Sequence, residues 1–198
     1  MAIDFLIVGA GIGGAVLANL LSRAGKRVLV LERDANPPQI VRPEILWPAT
    51  VRFLESIVPG GRLPDSAVMP LRSLEFEYRQ STLFRISEEF FERTGVALWS
   101  TNADRTRSLL LSEAQCEVER GIEVTGLLKE AGRVVGVRAR STGGGIDREI
   151  ASRWTIGDDG GRSIVRRECD ILMTVRTPAI DLLSFGFPLP SFMEPATA

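Results

Sequence analysis

The run Phe5-Leu6-Ile7-Val8 passes without a polar residue into Gly9-x-Gly11-x-x-Gly14, a junction that few folds accommodate. An unbroken apolar stretch of this length reads as a strand buried on both faces, as in a parallel sheet. Ala15 to Leu21 then reads as a helix stopped at Gly25, and Arg27 to Leu31 as a second strand ending at Glu32. Strand, glycine turn, helix, strand, acid is the order of a dinucleotide-binding unit. Gly9 permits the tight turn, Gly11 leaves the backbone bare for a pyrophosphate, and Gly14 lets the helix pack close on the strand. The amides that open the helix, at Ile12, Gly13 and Gly14, face the phosphates, with the helix dipole adding to their pull. Glu32 is placed to accept both ribose hydroxyls of an adenosine, with Arg33 beside it.

The same apolar stretch invites comparison with a signal peptide or a membrane span. Asp4 stands where a basic region belongs, and glycines interrupt the run. The expectation is therefore a protein without a membrane span, soluble and cytoplasmic. Net charge is −1 with no basic run, which gives no footing for nucleic acid. Cys116 and Cys169 lack metal-ligand spacing and read as two buried, reduced thiols. The chain has no histidine, which removes Ser-His-Asp and Cys-His hydrolase chemistry and histidine metal sites together. Chemistry at such a site must come largely from a cofactor, so no catalytic residue and no metal ligand is assigned.

Further along, Ala49 to Ile57 reads as an amphipathic helix with Val51, Leu54, Ile57 and Val58 on its apolar face, ended by Pro59-Gly60-Gly61. Leu71 to Tyr78 and Ser81 to Ile86 alternate apolar and polar residues and read as a hairpin. A helix is expected between Arg105 and Val118, with Leu109, Leu110, Ala114 and Val118 facing the core. Ile122 to Leu128, Val134 to Ser141 and Arg148 to Ile156 read as strands turned at Ala131-Gly132 and Gly143-Gly144-Gly145. Alternation of strand and helix thus breaks after the second strand, which argues against a plain nicotinamide-binding reductase.

The last strand runs into Gly157-Asp158-Asp159-Gly160-Gly161-Arg162-Ser163-Ile164-Val165-Arg166. Here the chain resembles the FAD-dependent aromatic hydroxylases, the single-component flavoprotein monooxygenases related to p-hydroxybenzoate hydroxylase. The likeness rests on the amino-terminal glycine unit, with Ala18 and Gly25, and on Arg42-Pro43-Glu44-Ile45-Leu46-Trp47-Pro48. It rests also on Arg107-Ser108-Leu109-Leu110 and on Asp159-Gly160-x-x-Ser163-x-x-Arg166. The resemblance implies FAD as cofactor and NAD(P)H as co-substrate, with hydroxylation of an aromatic or epoxidation of an alkene. It implies Arg42 at the FAD pyrophosphate, Arg107 at the FAD edge, and Asp159 and Gly160 at the FAD and NAD(P)H site. On the residues alone, Arg42 also reads as a solvated loop charge, Arg107 as an exposed helix charge, and Asp159 as a helix cap.

The expected fold is α/β, a Rossmann-like FAD-binding domain of the glutathione-reductase type with an antiparallel meander and a fragment of a mixed-sheet substrate domain. Residues 1–170 form the FAD-binding part, a hairpin insertion near 70–99 belongs to the substrate side, and 171–198 begin a truncated substrate domain. Two departures from the resemblance stand out. No later Gly-Asp motif follows Arg166, and Asp158 places a carboxylate where a small residue is usual and where a pyrophosphate would be repelled. The expectation is that the chain needs its missing half for hydroxylation. The rival readings are a non-catalytic FAD-binding remnant, half of a split enzyme completed by a second polypeptide, and a nicotinamide-binding reductase.

Overall fold

The segments β1 (Ile3–Val8), α1 (Ile12–Arg23) and β2 (Val28–Glu32) form the expected strand–helix–strand unit in a computed structural model that describes residues 3–36 and 43–176. The two strands are parallel, with Phe5 opposite Val28 and Val8 opposite Leu31. α1 stops where the sequence says it must. Gly25 takes φ +72 and donates to Ser22 O, and Lys26 N donates to Leu21 O, so the last carbonyls of the helix find partners.

The chain continues through β3 (Pro43–Leu46), α2 (Pro48–Ile57), a 3-10 turn at Pro59–Gly61, β4 (Val68–Leu71), β5 (Leu74–Tyr78) and β6 (Ser81–Ile86). It then forms α3 (Glu88–Thr94), β7 (Leu98–Asn102), α4 (Ala103–Glu113), β8 (Glu117–Arg120) and β9 (Ile122–Glu130). β10 (Arg133–Ser141), β11 (Arg148–Gly157) and α5 (Ile164–Glu168) complete it. The described residues divide into two compact units, 3–36 with 107–176, and 43–106.

In the first unit the strands lie in the order β8-β2-β1-β11-β10-β9. β8, β2, β1 and β11 run parallel, and β9, β10 and β11 form the antiparallel meander, so β11 serves both arrangements. Leu6, Val8, Leu29 and Leu31 point to one face, where they meet Val124, Leu127, Val137 and Ala139 of the meander. Their alternates Ile7 and Val30 are equally buried on the opposite face, and the Ile7 side chain lies under Gly14 of α1. Burial on both faces is why these strands read as continuous apolar runs. Asn19 of α1 is fully buried, and its Nδ2 donates to Ala15 O and to Leu110 O of α4, tying the two helices together.

In the second unit β3, β7 and β4 make an antiparallel sheet and β5 pairs with β6. α2 buries Val51, Leu54 and Ile57, and Val58 just beyond it, as its periodicity requires. Phe76 and Phe84 stack across the hairpin at 4.4 Å between ring centroids, and both are exposed, as are Tyr78 and Leu83.

Three sequence expectations need correction. Leu71 belongs to β4, and the hairpin begins at Leu74. The helix expected up to Val118 ends at Glu113, and Val118 lies in β8, where it pairs with Val30. Cys169, the residue that ends the short α5, is exposed, and Cys116, just before β8, is only half-buried.

Candidate cofactor site

The carboxyl ends of β2, β1 and β11 converge, and the chain turns sharply there. Gly9 N donates to Leu31 O and Asp158 N donates to Val8 O, each at 2.8 Å, which clamps the end of β1 between its neighbours. Gly9 has φ +99, and a Cβ on it would lie 2.3 Å from the Asp158 carbonyl oxygen. A Cβ on Gly14 would lie 2.5 Å from Gly9 O, so only glycine lets α1 start this close to the strand. Such a crevice at the ends of parallel strands is where doubly wound folds bind ligands.

A cleft of about 450 Å³ opens at this point. Gly9, Gly11, Glu32, Arg33, Arg107, Asp159 and Gly160 line it together. Ile12, Gly13 and Gly14 open α1 at its edge. Arg42 lies outside the described residues. Arg107 is half-buried and faces the cleft, which sets aside its reading as an exposed helix charge.

Glu32 is held before any ligand reaches it. Its Oε2 accepts from Ala10 N at 2.8 Å and its Oε1 from Asp34 N at 2.9 Å. Each oxygen retains capacity for a further donor, so the carboxylate is oriented for hydroxyls in the cleft.

Asp159 is also a cap. Its Oδ2 accepts from Ile164 N at 2.6 Å and Val165 N at 3.3 Å, while Ser163 Oγ accepts from Arg166 N at 3.0 Å. Together they satisfy the first turn of α5. Asp159 Oδ1 is buried without a hydrogen-bond partner among the described residues, leaving an acceptor beside the cleft that a ligand hydroxyl would satisfy.

Asp158 reaches across to the opening of α1. Its Oδ2 accepts from Gly14 N at 2.8 Å. The carboxylate fills the space beside Gly11 and Gly13, where a Cβ would stand 2.6 Å from Oδ2 and 2.8 Å from Oδ1 respectively. Burial pushes this carboxyl above its ordinary 3.8, the Gly14 and Gly11 amides pull it down, and the charges of Asp159 and Glu32 push it up again. The direction is upward.

Sequence reasoning missed Arg162 and Arg167, which bring two more cations to the cleft, and Ile122 and Val124, which give it an apolar wall. Arg162 lies inside the Asp-Gly motif and Arg167 just past its last residue, where residue type alone does not say which way a long side chain turns. The meander residues carried only a strand signal, with nothing to say what their strand covers.

Residues 2–193 match the family described as FAD binding domain. The chain belongs to this family. Squalene epoxidase 2, mitochondrial, of Arabidopsis thaliana is 30% identical over 192 residues, covering 94% of this chain and 32% of that protein. Among solved structures, Pseudomonas aeruginosa PqsL in complex with 2-aminobenzoylacetate superposes with a TM-score of 0.72 at 27% identity, over 90% of this chain and 48% of that one. OxyS anhydrotetracycline hydroxylase of Streptomyces rimosus gives 0.70 at 32% identity, over 90% and 36%. The chain is thus an FAD-binding domain of the flavoprotein monooxygenase lineage, and it spans about a third of the length of the first of these relatives. Among the described residues no helix is long and apolar enough to cross a membrane.

Proposed function

We propose that this chain supplies the adenosine-side half of an NAD(P)H-dependent flavoprotein monooxygenase that hydroxylates or epoxidises a small aromatic or alkene substrate. One observation carries the reading. The glycine turn, Glu32 and Asp159-Gly160, far apart in sequence, line a single cleft at the ends of the parallel strands. Gly9 makes the tight turn, Gly11 leaves its backbone bare, the amides of Ile12, Gly13 and Gly14 attract the pyrophosphate, and Glu32 accepts the ribose hydroxyls. Arg33, Arg107 and, by resemblance, Arg42 offset the phosphate charge. Asp159 Oδ1, buried and unsatisfied, takes a hydroxyl of the cofactor, and Gly160 permits the close approach. When bound, FAD would supply the oxygen chemistry, and this chain's residues bind and orient it.

The substrate class is carried over from the relatives, whose names include squalene epoxidase and anhydrotetracycline hydroxylase. We assign residues 1–170 to the cofactor domain, with the hairpin inside 70–99 on the substrate side and 171–198 opening the substrate domain. We place the protein in the cytoplasm, where the exposed Cys169 thiol stays reduced. Separate titrations with FAD and NADPH, followed by fluorescence and heat, test the cofactor. FAD is expected to bind more tightly, and the reverse order would make this a nicotinamide-binding reductase.

A second reading is that another polypeptide completes the fold. The exposed Phe76, Tyr78, Leu83 and Phe84 of the hairpin favour it, since solvated aromatic clusters usually pack against something. The mass of the native species, isolated under non-denaturing conditions, distinguishes a lone chain from a complex.

A further inference from the structure

The cradle built for a pyrophosphate holds a carboxylate of the chain itself. We propose that Asp158 is an internal stand-in for the cofactor's diphosphate, and that FAD seats in the glycine cradle only by displacing it. The inference rests on the FAD reading above, and it concerns how that site is loaded.

The geometry is specific. Asp158 Oδ2 takes the Gly14 amide at 2.8 Å, one of the orphan donors at the start of α1. The carboxylate covers Gly11, whose missing side chain leaves the backbone bare for phosphate, and Gly13 beside it. No acidic residue lies in the first turn of α1, and Gly11, which caps it, has no side chain to offer, so Asp158 is the anion that this helix end receives. Its backbone cannot withdraw, because Asp158 N is bonded to Val8 O at the end of β1. Only rotation of the side chain clears the cradle. Asp159 and Glu32 disfavour its charge where it sits, so the cradle holds it less firmly than the Gly14 bond alone would suggest. Loading therefore trades one anion for another at the same amides. Affinity falls by the fraction of time the cradle is open.

The test compares the wild-type chain with Asp158→Ala and Asp158→Asn, using FAD and ADP as separate probes. Asp158→Ala is expected to bind both ligands about ten-fold or more tightly, the worth of a charge-assisted hydrogen bond no longer competing. Asp158→Asn, which keeps an acceptor without the charge, should fall between. Ligand-free Asp158→Ala should melt at lower temperature and exchange its Gly14 amide faster, because the helix loses its cap. Tighter binding joined to a less stable free protein is the signature of a displaced stand-in. Equal or weaker FAD binding by Asp158→Ala, with wild type binding FAD normally, overturns the proposal and leaves the cofactor reading intact. Tighter ADP binding by the variant, with no FAD binding by either protein, supports the stand-in and overturns the cofactor reading. Failure of both ligands with both proteins overturns both.

Discussion

Glu32 shows how one side chain sets up a site before the ligand arrives. Bonded to the amides of Ala10 and Asp34, it ties the glycine turn to the end of β2 and fixes its own direction. Glu32→Ala should weaken FAD binding by about ten- to a hundred-fold, corresponding to about 1.5–3 kcal/mol, as read by flavin fluorescence titration. Unchanged affinity in a folded variant would leave Glu32 with the turn alone. Asp158 titrates in the opposite sense to an ordinary paired carboxylate. Burial first, then Asp159 and Glu32, hold its carboxyl above 3.8, so the folded state binds this proton more tightly than the unfolded chain does. The part of its contribution that depends on this proton is most favourable below about 3.8 and is lost as pH rises through the higher folded value, while the bond from Gly14 N is kept. Asp158→Asn should flatten that part of the stability profile, measured as urea midpoints across the acid range. The glycines and Glu32 were legible in the sequence because their spacing carries the geometry. That Asp158 departs from the pattern was legible too, as an excess charge. Its destination was not, since a side chain's rotation toward Gly14 leaves no trace in residue order.

At the scale of elements, β11 is the piece on which both halves of the first unit depend. It pairs in parallel with β1 through Ile3–Ser152 to Val8–Gly157 and antiparallel with β10 through Gly136–Ala151 to Ala139–Arg148. Gly136 sits at an irregularity in β10, and a Cβ there would stand 2.2 Å from Ile150 O and 2.9 Å from Ala151 Cα. Gly136→Ala should therefore destabilise the chain by about 1–3 kcal/mol and shift β11, with a secondary loss of FAD affinity. Gly126→Ala, with no atom within 4 Å of its Cβ, is the control and should be near neutral or slightly stabilising in urea unfolding. The meander, α1 and the β5–β6 hairpin were legible because periodicity, glycine stops and turn residues agree over each of them. β8 was not. Glu117-Val118-Glu119-Arg120 is four residues long, mostly charged, and becomes a strand only because β2 offers an edge remote in sequence. α3 had its signals in plain view, with Ser87 as cap, Glu88 and Glu89 in the first turn and Gly95 in the left-handed stop, but seven residues give no apolar stripe to read.

For the molecule as a whole, the 198 residues correspond to 32% of squalene epoxidase 2 and to 48% and 36% of the two solved proteins compared. Oxygen transfer to a substrate requires a pocket closed against water. Assayed alone with FAD, NAD(P)H and a panel of phenols, this polypeptide is expected to release hydrogen peroxide without hydroxylated product. Stoichiometric product would show that these residues suffice to enclose the reacting ring. The pairing of β1 with β11 also sets a timetable. On the ribosome β1 gains β2 early, since Phe5 meets Val28. Its other edge, Ile3 to Val8, waits for Ser152 to Gly157. At roughly 5–20 residues per second, that flat apolar edge stays unpaired for on the order of ten seconds. For that interval the nascent chain offers a bare strand to any passing neighbour. The segment that finishes the site therefore also ends the chain's most hazardous moment.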